Sequence, residues 1–531
     1  MTGSIGEVLH IAAERRPDQQ IIIDQPSAVD PGWPQTRTYA EWAQAVDETA
    51  GWLYQLGVRA WDRVAVLKDN HFDLSILACA AARIGAVPAL LSGAYGPDVA
   101  HVLLRRLERP FLIADSAHIA ACGIDADAVA MLTERTVCID GSTDRPDLVA
   151  LDDVRGANPP VPRLRAPDEP MIITHTSGTT GIPKLVLHSA VSERACAIIE
   201  SERWPIIGIR SGDVWAYAEP YWHERQTHGL LAMAVIGQKM IMISDPLAVT
   251  VRDLLIRHRP TLVEALPNIF LAWEPMAADP ARPFSNVREY INSFDAIHVR
   301  TIRTFLDATD RRMPIWLQAW SQSENGTLLI RPYLRGSVRR KGRRPAPTQL
   351  LGWPVPGLGR IRTVHPDTGR PTRRGEVGLI EIAQPGRCVA YVGEQPRHEA
   401  KLDGKWWHTG DLGRINRLGA LRIVDREIDR LPQGSAIELE DVLLDRLDLT
   451  TEVVILPVSG GLPLPVYSTG NDVPIDPAVW RRATADLPAL AEPIHIRWAE
   501  FPRTGTWKIR RVALREQLLP GSRTFGKGSW T

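Results

Sequence analysis

The sequence predicts an α/β protein with a large layered N-terminal domain of mostly parallel sheets and a small α+β C-terminal domain. Two observations carry this. Helix-patterned and strand-patterned segments alternate through the first four hundred residues, a rhythm that implies parallel strands covered by helices. After about residue 410 the texture changes to strand pairs, and the last hundred residues form a shorter mixed unit. A chain of 531 residues is also too long for a single core.

Taken in order, IGEVLHIAAERR is amphipathic, DRVAVLKDN reads as strand then turn, and LSILACAAARIGAVPALL as a buried helix leading into a strand. The alternation continues through VWAYAEP, KMIMISDP and TLVEALPN, with VRDLLIRHR as a helix between. GEVGLIEIAQPGRCVAYVG and GALRIVDREI read as antiparallel strands. We therefore divide the chain into a large domain over residues 1–411, a hinge region over 412–430 and a small domain over 431–531. The one biased segment is RGSVRRKGRRP (residues 335–345), read either as a solvated surface loop or as a contact for a phosphate-bearing cofactor or an acidic partner.

Composition narrows the function. Lys plus Arg and Asp plus Glu number 62 each, so bulk charge argues for neither nucleic acid nor an anionic membrane as a partner. The five cysteines are scattered without a C-x-x-C pair, which indicates neither a disulfide framework nor a zinc site and fits a reducing cytoplasm. No leader pattern and no stretch of roughly 18 continuous apolar residues is found, so neither export nor membrane insertion is expected.

Residues 174–189 read THTSGTTGIPKLVLHS. Small and hydroxylated residues leave backbone N–H groups uncovered and gather several hydroxyls, with a lysine at the rim, which suits a polyphosphate. Gly178 and Gly181 stand only three apart and Leu185 follows Lys184, so this is not the P-loop of the nucleotide hydrolases.

TSGTTGIPK resembles the phosphate-loop signature of the adenylate-forming superfamily of acyl-CoA synthetases, luciferases and nonribosomal adenylation domains. Further motifs follow in that family's order: RTYAEW (37–42), RIGAVPAL (83–90), WSQSE (320–324), GWPVPG (352–357), GEVGLIEI (375–382), HTGDLGRI (408–415), VDREID (424–429) and PRTGTWKIRR (502–511). The resemblance covers nearly the whole chain. It implies an ATP-dependent ligase that activates a carboxylic acid as acyl-AMP, releases pyrophosphate and passes the acyl group to the thiol of coenzyme A or of a carrier-protein pantetheine.

By that resemblance Thr176, Ser177, Gly178, Thr179, Thr180, Gly181 and Lys184 grip the ATP phosphates, and Glu324 holds the Mg2+ that bridges them. Ser323 stands where the family has threonine. Trp320 takes the place of the aromatic residue that stacks on adenine, and Asp411 and Arg426 lie at the ribose. Lys508 corresponds to the lysine that a mobile small domain swings into the site, implying a two-position cycle. His223 or His228, with Arg225, falls in the substrate region, where Glu224 adds further charge and suggests a polar or amino-substituted acid.

Four departures bear on function. Phe294 and Asp295 replace small residues at a strand end expected to support adenine. Trp507 replaces the glycine before the lysine. Ile428 occupies the hinge position, and the loop over 430–441 is shortened where relatives line the thiol tunnel. YWHERQTHGLL (221–231) is longer than the family's usual pattern. These keep open a non-thiol second step, either amide formation or activation of nitrite as in the superfamily's diazo-forming members, and also a degenerate nucleotide-binding scaffold.

Overall fold

A computed structural model describes residues 3–178, 181–201, 207–429, 431 and 434–520. Its order of elements follows the alternation of the sequence. The amphipathic start becomes the helix Val8–Arg15, DRVAVLKDN the strand Arg63–Lys68, and the long apolar run the helix Asp73–Arg83 followed by the strand Val87–Ser92.

Two eight-stranded sheets dominate. In the first, Gln20–Ile23, Lys239–Met242, Val214–Ala218, Leu262–Ala265, Glu289–Asn292 and Ile315–Gln322 lie side by side and parallel, with antiparallel strands Thr36–Thr38 and Gly326–Tyr333 closing the edges. The second has parallel strands at its centre, among them Val87–Ser92, Arg63–Lys68 and Phe111–Ala114. Its antiparallel side is Pro170–His175, Leu185–Ser189 and Ala390–Tyr391. Near-continuous burial along Arg63–Lys68 and Val87–Ser92 is what a parallel strand covered on both faces requires.

A third sheet is antiparallel and runs through Leu350–Gly352, Leu421–Arg426, Trp406–Ile415, Gly378–Ala383 and Arg360–Val364. Much of the stretch read as a hinge is thus hydrogen-bonded strand, because Leu412 to Ile415 pair with Leu421 to Asp425. The last unit packs Thr450–Leu456, Leu464–Thr469 and Ile494–His495 against the helices Ala436–Arg446, Pro477–Thr484 and Arg511–Leu518 around its own apolar clusters. Half of the stretch read as a shortened loop is the first part of the helix Ala436–Arg446, capped by the Ser435 hydroxyl, which accepts from Glu438 N at 3.1 Å.

Most of the basic run is exposed, and Lys341, Gly342 and Arg344 within it meet acidic residues of the same chain. Lys341 Nζ lies 2.5 Å from Asp448, Arg344 Nε donates to Glu438 at 2.7 Å, and Gly342 N donates to Asp445, which also takes the Arg303 guanidinium. The acidic partner is the helix Ala436–Arg446 of the same chain and the residues just after it. Val299 N and the Thr348 hydroxyl donate to Asp441 at 3.1 and 3.0 Å, adding to this docking.

Candidate active site

The phosphate-type loop spans the gap between the antiparallel strands Pro170–His175 and Leu185–Ser189. Thr176 closes it twice: its N–H donates to Lys184 O at 3.0 Å, and its hydroxyl accepts from Lys184 N at 3.1 Å. Gly178 has φ of 68°, and a Cβ there would lie 2.8 Å from Pro183 Cγ. Only glycine fits that position without strain. Thr179 and Thr180 lie outside the described residues.

Above the loop a cleft gathers residues from distant parts of the chain. Thr176, Ser177, Gly178 and Lys184 line it with Trp320, Ser323, Glu324, Asp411, Arg426 and Lys508. Lys184 Nζ sits 3.1 Å from Glu324 Oε1, and the Tyr391 hydroxyl donates to the same oxygen. Burial pushes the Glu324 carboxyl up, but Lys184, the nearby Lys401 and the Tyr391 hydroxyl together hold it down at about 2, so it stays ionised. Asp411, cross-strand from Arg426, is pushed up by burial, with Arg426 3.9 Å away and Lys401 opposing. Trp320 borders the cleft at a bulge in its strand while also packing against an apolar cluster.

Lys508 enters the cleft from the small unit on a loop closed by Thr504, whose N–H donates to Lys508 O at 2.9 Å and whose hydroxyl accepts from Lys508 N at 3.2 Å. Burial lowers its ammonium, and Asp295 opposes that shift. Its Nζ lies 6.0 Å from the centre of the Phe294 ring.

The substrate-region residues separate cleanly. YWHERQTHGLL is largely helix, Glu224–Ile236, with the His223 ring accepting from Arg225 N at 3.2 Å as its cap. His223 lines the cleft, packs on Phe294 at 4.3 Å between ring centres and meets the Ser323 hydroxyl at 2.9 Å. Burial, then Lys508, pushes it well below the usual histidine range, so its ring is neutral. His228 and Arg225 do not line this cleft. His228 lies 3.1 Å from Glu193, and Arg225 is forked onto Glu264 at 2.6 and 2.8 Å and reaches Glu200 at 2.9 Å. Of the residues expected in the substrate region, only His223 thus lines the nucleotide cleft, while His228 and Arg225 lie against the carboxylates of Glu193, Glu264 and Glu200.

Sequence reasoning missed Tyr391 and Lys401. Lys401 lines the cleft, donates to His408 O at 3.1 Å, and is lowered to about 8 by burial and then by Lys184. Its position a few residues ahead of HTGD was the available signal; Tyr391 carried none. Among the described residues no group of three or more His, Cys, Asp or Glu could hold a metal ion by itself.

A cleft in which Lys184, Lys401, Arg426 and Lys508 converge with a hydroxyl-rich loop around the ionised Glu324 is suited to anionic groups. The sequence profile described as AMP-binding enzyme matches residues 9–392. The chain belongs to the AMP-binding enzyme family. This AMP-binding enzyme is 36% identical to the 3-amino-2-hydroxy-4-methoxybenzoate diazotase of Streptomyces cremeus, over 99% of this chain and 97% of that one. It is 26% identical to the 3-hydroxybenzoate–CoA ligase of Aromatoleum sp. (strain CIB), over 95% and 96% of the two chains. Its fold matches ATP-bound MatB from Rhodopseudomonas palustris with a TM-score of 0.80 at 20% identity, covering 98% and 99% of the two chains. The AMP-binding enzyme is an ATP-dependent, AMP-forming ligase, as its motifs implied. Among the described residues no helix is long and apolar enough to cross a membrane.

Proposed function

We propose that this ligase adenylates nitrite and delivers the activated nitrogen to an aromatic amine, forming a diazonium group with release of AMP and pyrophosphate. The observation that carries the reading is a buried acidic wall at the carboxyl ends of the strands Val214–Ala218 and Leu262–Ala265, just ahead of the cleft residue His223. There Glu264 and Glu200 bind the Arg225 guanidinium, and Glu219 lies buried just past the end of the strand beside Glu264. A wall of three carboxyls and one cation disfavours an apolar acyl tail and favours a ligand bearing N–H donors. The greater identity to a diazotase than to an aryl-CoA ligase supports the same choice.

In this reading the loop around Thr176, Ser177, Gly178, Gly181 and Lys184, with Thr179 and Thr180, binds the triphosphate. Trp320 takes the adenine, and Asp411 with Arg426 the ribose. Glu324 suits Mg2+: an ionised carboxylate that, among the described residues, belongs to no group of three or more possible metal ligands matches an ion that is otherwise bound through substrate phosphates. When bound, Mg2+ supplies neutralisation of phosphate charge. Lys508 and Lys401 add cationic charge where an oxyanion meets the α-phosphate, offsetting repulsion between two anions. His223, neutral, positions Ser323 and packs Phe294 against the cleft. Residues 1–411 and 431–531 act as the large and small domains, with 412–430 between them.

The test incubates the enzyme with ATP, Mg2+ and an aminobenzoate panel, with nitrite or with coenzyme A. AMP formation that requires nitrite, together with a product that couples to an electron-rich arene as an azo dye, supports the reading. A carboxylate-dependent acyl-CoA product without any azo coupling refutes it.

A further inference from the structure

Val214–Ala218 lies inside the parallel part of the first sheet, and ligands of such sheets sit beyond the carboxyl ends of the strands. Glu219 is the first residue past that end. Alternation along the strand puts Trp215, Tyr217 and Glu219 toward one face, with Glu264 of the next strand in register with Tyr217. Arg225, from the helix over that face, lies 5.6 and 6.0 Å from the Trp215 and Tyr217 rings.

Within this acidic wall Glu219 differs from its neighbours. Glu264 is forked by Arg225 and Glu200 takes a third contact, so the guanidinium is engaged at Nε, Nη1 and Nη2. Glu219 is 1% exposed, and neither of its carboxyl oxygens has a hydrogen-bond partner among the described residues. A buried polar group left unmatched costs about 1–3 kcal/mol, which a ligand donor would offset. Burial, and then Glu264, raises this carboxyl well above the usual carboxylate range, while Arg225 and Lys508 pull it back. The charges facing it are therefore Glu264 from the neighbouring strand, Arg225 from the covering helix and Lys508 from the small unit. A carboxyl with both oxygens free, sensing the lysine of the nucleotide cleft, is equipped to accept a proton on one oxygen and donate from the other.

We infer that Glu219 receives the amino group of an aromatic primary amine and is the proton-transfer residue of the second half-reaction. This rests on the diazotisation reading above. The amine nitrogen attacks the nitrogen of the nitrosyl adenylate; the N–N bond forms, the bond from that nitrogen to the AMP oxygen breaks, and AMP departs. Glu219, starting as the carboxylic acid, gives its proton to the departing AMP phosphate from one oxygen while the other takes the first N–H proton. The resulting carboxylic acid gives a proton to the nitroso oxygen from one oxygen while the other takes the second N–H proton, yielding the diazenol. Glu219 then protonates the diazenol hydroxyl, the N–O bond breaks, water leaves and the diazonium remains, and the Glu219 carboxylate recovers its proton from solvent. Both amine protons end in that water, and the two nitrogens exchange electrons only with each other, so no outside oxidant is required.

The experiment separates the two half-reactions in the full-length enzyme. Nitrite-dependent exchange of labelled pyrophosphate into ATP reads the first, and azo-coupled diazonium from an aminobenzoate reads the second. Glu219→Gln is expected to keep exchange within about threefold of the parent while diazonium formation falls by about 100-fold or more, as loss of a general acid–base group does. Glu219→Asp, which keeps a carboxyl on a shorter stem, is expected to fall between them and serves if the glutamine variant does not fold. Diazonium formation in Glu219→Gln within tenfold of the parent overturns the assignment, as does exchange that falls in step with product. Absence of nitrite-dependent exchange in the parent enzyme itself is a different failure: it removes the diazotisation reading, and the role of Glu219 with it.

Discussion

Replacing Arg225 by Met tests whether the acidic wall depends on one cation. Arg225 is 7% exposed and Glu264 is fully buried, and the pair is joined by two hydrogen bonds of 2.6 and 2.8 Å, with Glu200 adding a third at 2.9 Å. Methionine keeps most of the alkyl packing but leaves two carboxylates facing each other in an apolar surround. Removing one partner of a buried ion pair costs about 3–5 kcal/mol, because the other charge is stranded. Glu264 can escape by taking a proton, since burial already holds it above its usual range. The folded variant then binds a proton that the unfolded chain lacks between the ordinary carboxylate range and the raised folded value, so its stability falls as pH rises through that window. Urea unfolding followed by tryptophan fluorescence at several pH values is expected to show the smallest loss in the ordinary carboxylate range and a loss that grows as pH rises from there. Adding Glu264→Gln to Arg225→Met should recover about 1–3 kcal/mol, because it removes one stranded charge. A loss below about 1 kcal/mol at pH 8, a loss that does not depend on pH, or a double variant no more stable than the single would refute this account of the wall.

Lys508→Ala is expected to lower pyrophosphate release by about 100-fold while changing ATP affinity by less than about threefold, since its charge acts where the oxyanion meets the α-phosphate; equal losses in kinetics and equilibrium binding would contradict that placement. Lys401, lowered to about 8, should impose a fall in kcat/KM for ATP above that pH as its positive charge is lost, and Lys401→Arg should move the limb upward. An alkaline limb that stays put in Lys401→Arg would assign it elsewhere. Asp445→Ala strands Arg303 and releases Gly342 N, so limited proteolysis between residues 412 and 436 should quicken severalfold; unchanged cleavage would show that the basic run does not hold the small unit.

The parallel α/β body was legible because its strands are apolar and its helices amphipathic at the expected periods, and the phosphate loop was legible because its two glycines and lysine are close in sequence. The helix Glu224–Ile236 was not. Its first turns read ERQTH, a polar pattern with no apolar stripe, and they are buried because Arg225 and His228 meet carboxylates from other elements, Glu264 and Glu193. Tyr391 escaped notice because its role arises from pairing with the strand Leu185–Ser189, about two hundred residues earlier, which aims its hydroxyl at Glu324. The basic run was ambiguous for the same reason. Its acidic partners lie about one hundred residues further on, and only the tertiary arrangement brings Asp445 and Asp448 to it.

Phe294 and Trp507 link these features to mechanism. The resemblance placed small residues or glycine at both positions, and both backbones adopt the left-handed region, with φ of 71° and 58°. A non-glycine residue there costs roughly 1–2 kcal/mol, so this sequence keeps the glycine-type turn while adding a ring. The rings have uses that oppose the strain. Phe294 packs on His223, and both Phe294 and Trp507 rest against the same apolar core, while Trp507 stacks on Trp498 at 5.9 Å. The Trp507 carbonyl accepts from Asn268 Nδ2 at 2.6 Å, which ties the Lys508 loop to the large body. Together with the docking of the basic run on the acidic helix, these contacts bind Lys508 into the cleft by side chains that a rotation of the small unit would have to release. An enzyme passing its adenylate to a pantetheine thiol gains from an easy rotation, whereas one whose amine already lies against Glu219 needs no second arrangement. Under the proposed diazotisation, the bulky residues that replace glycine fit a second step completed in the conformation that performs the first.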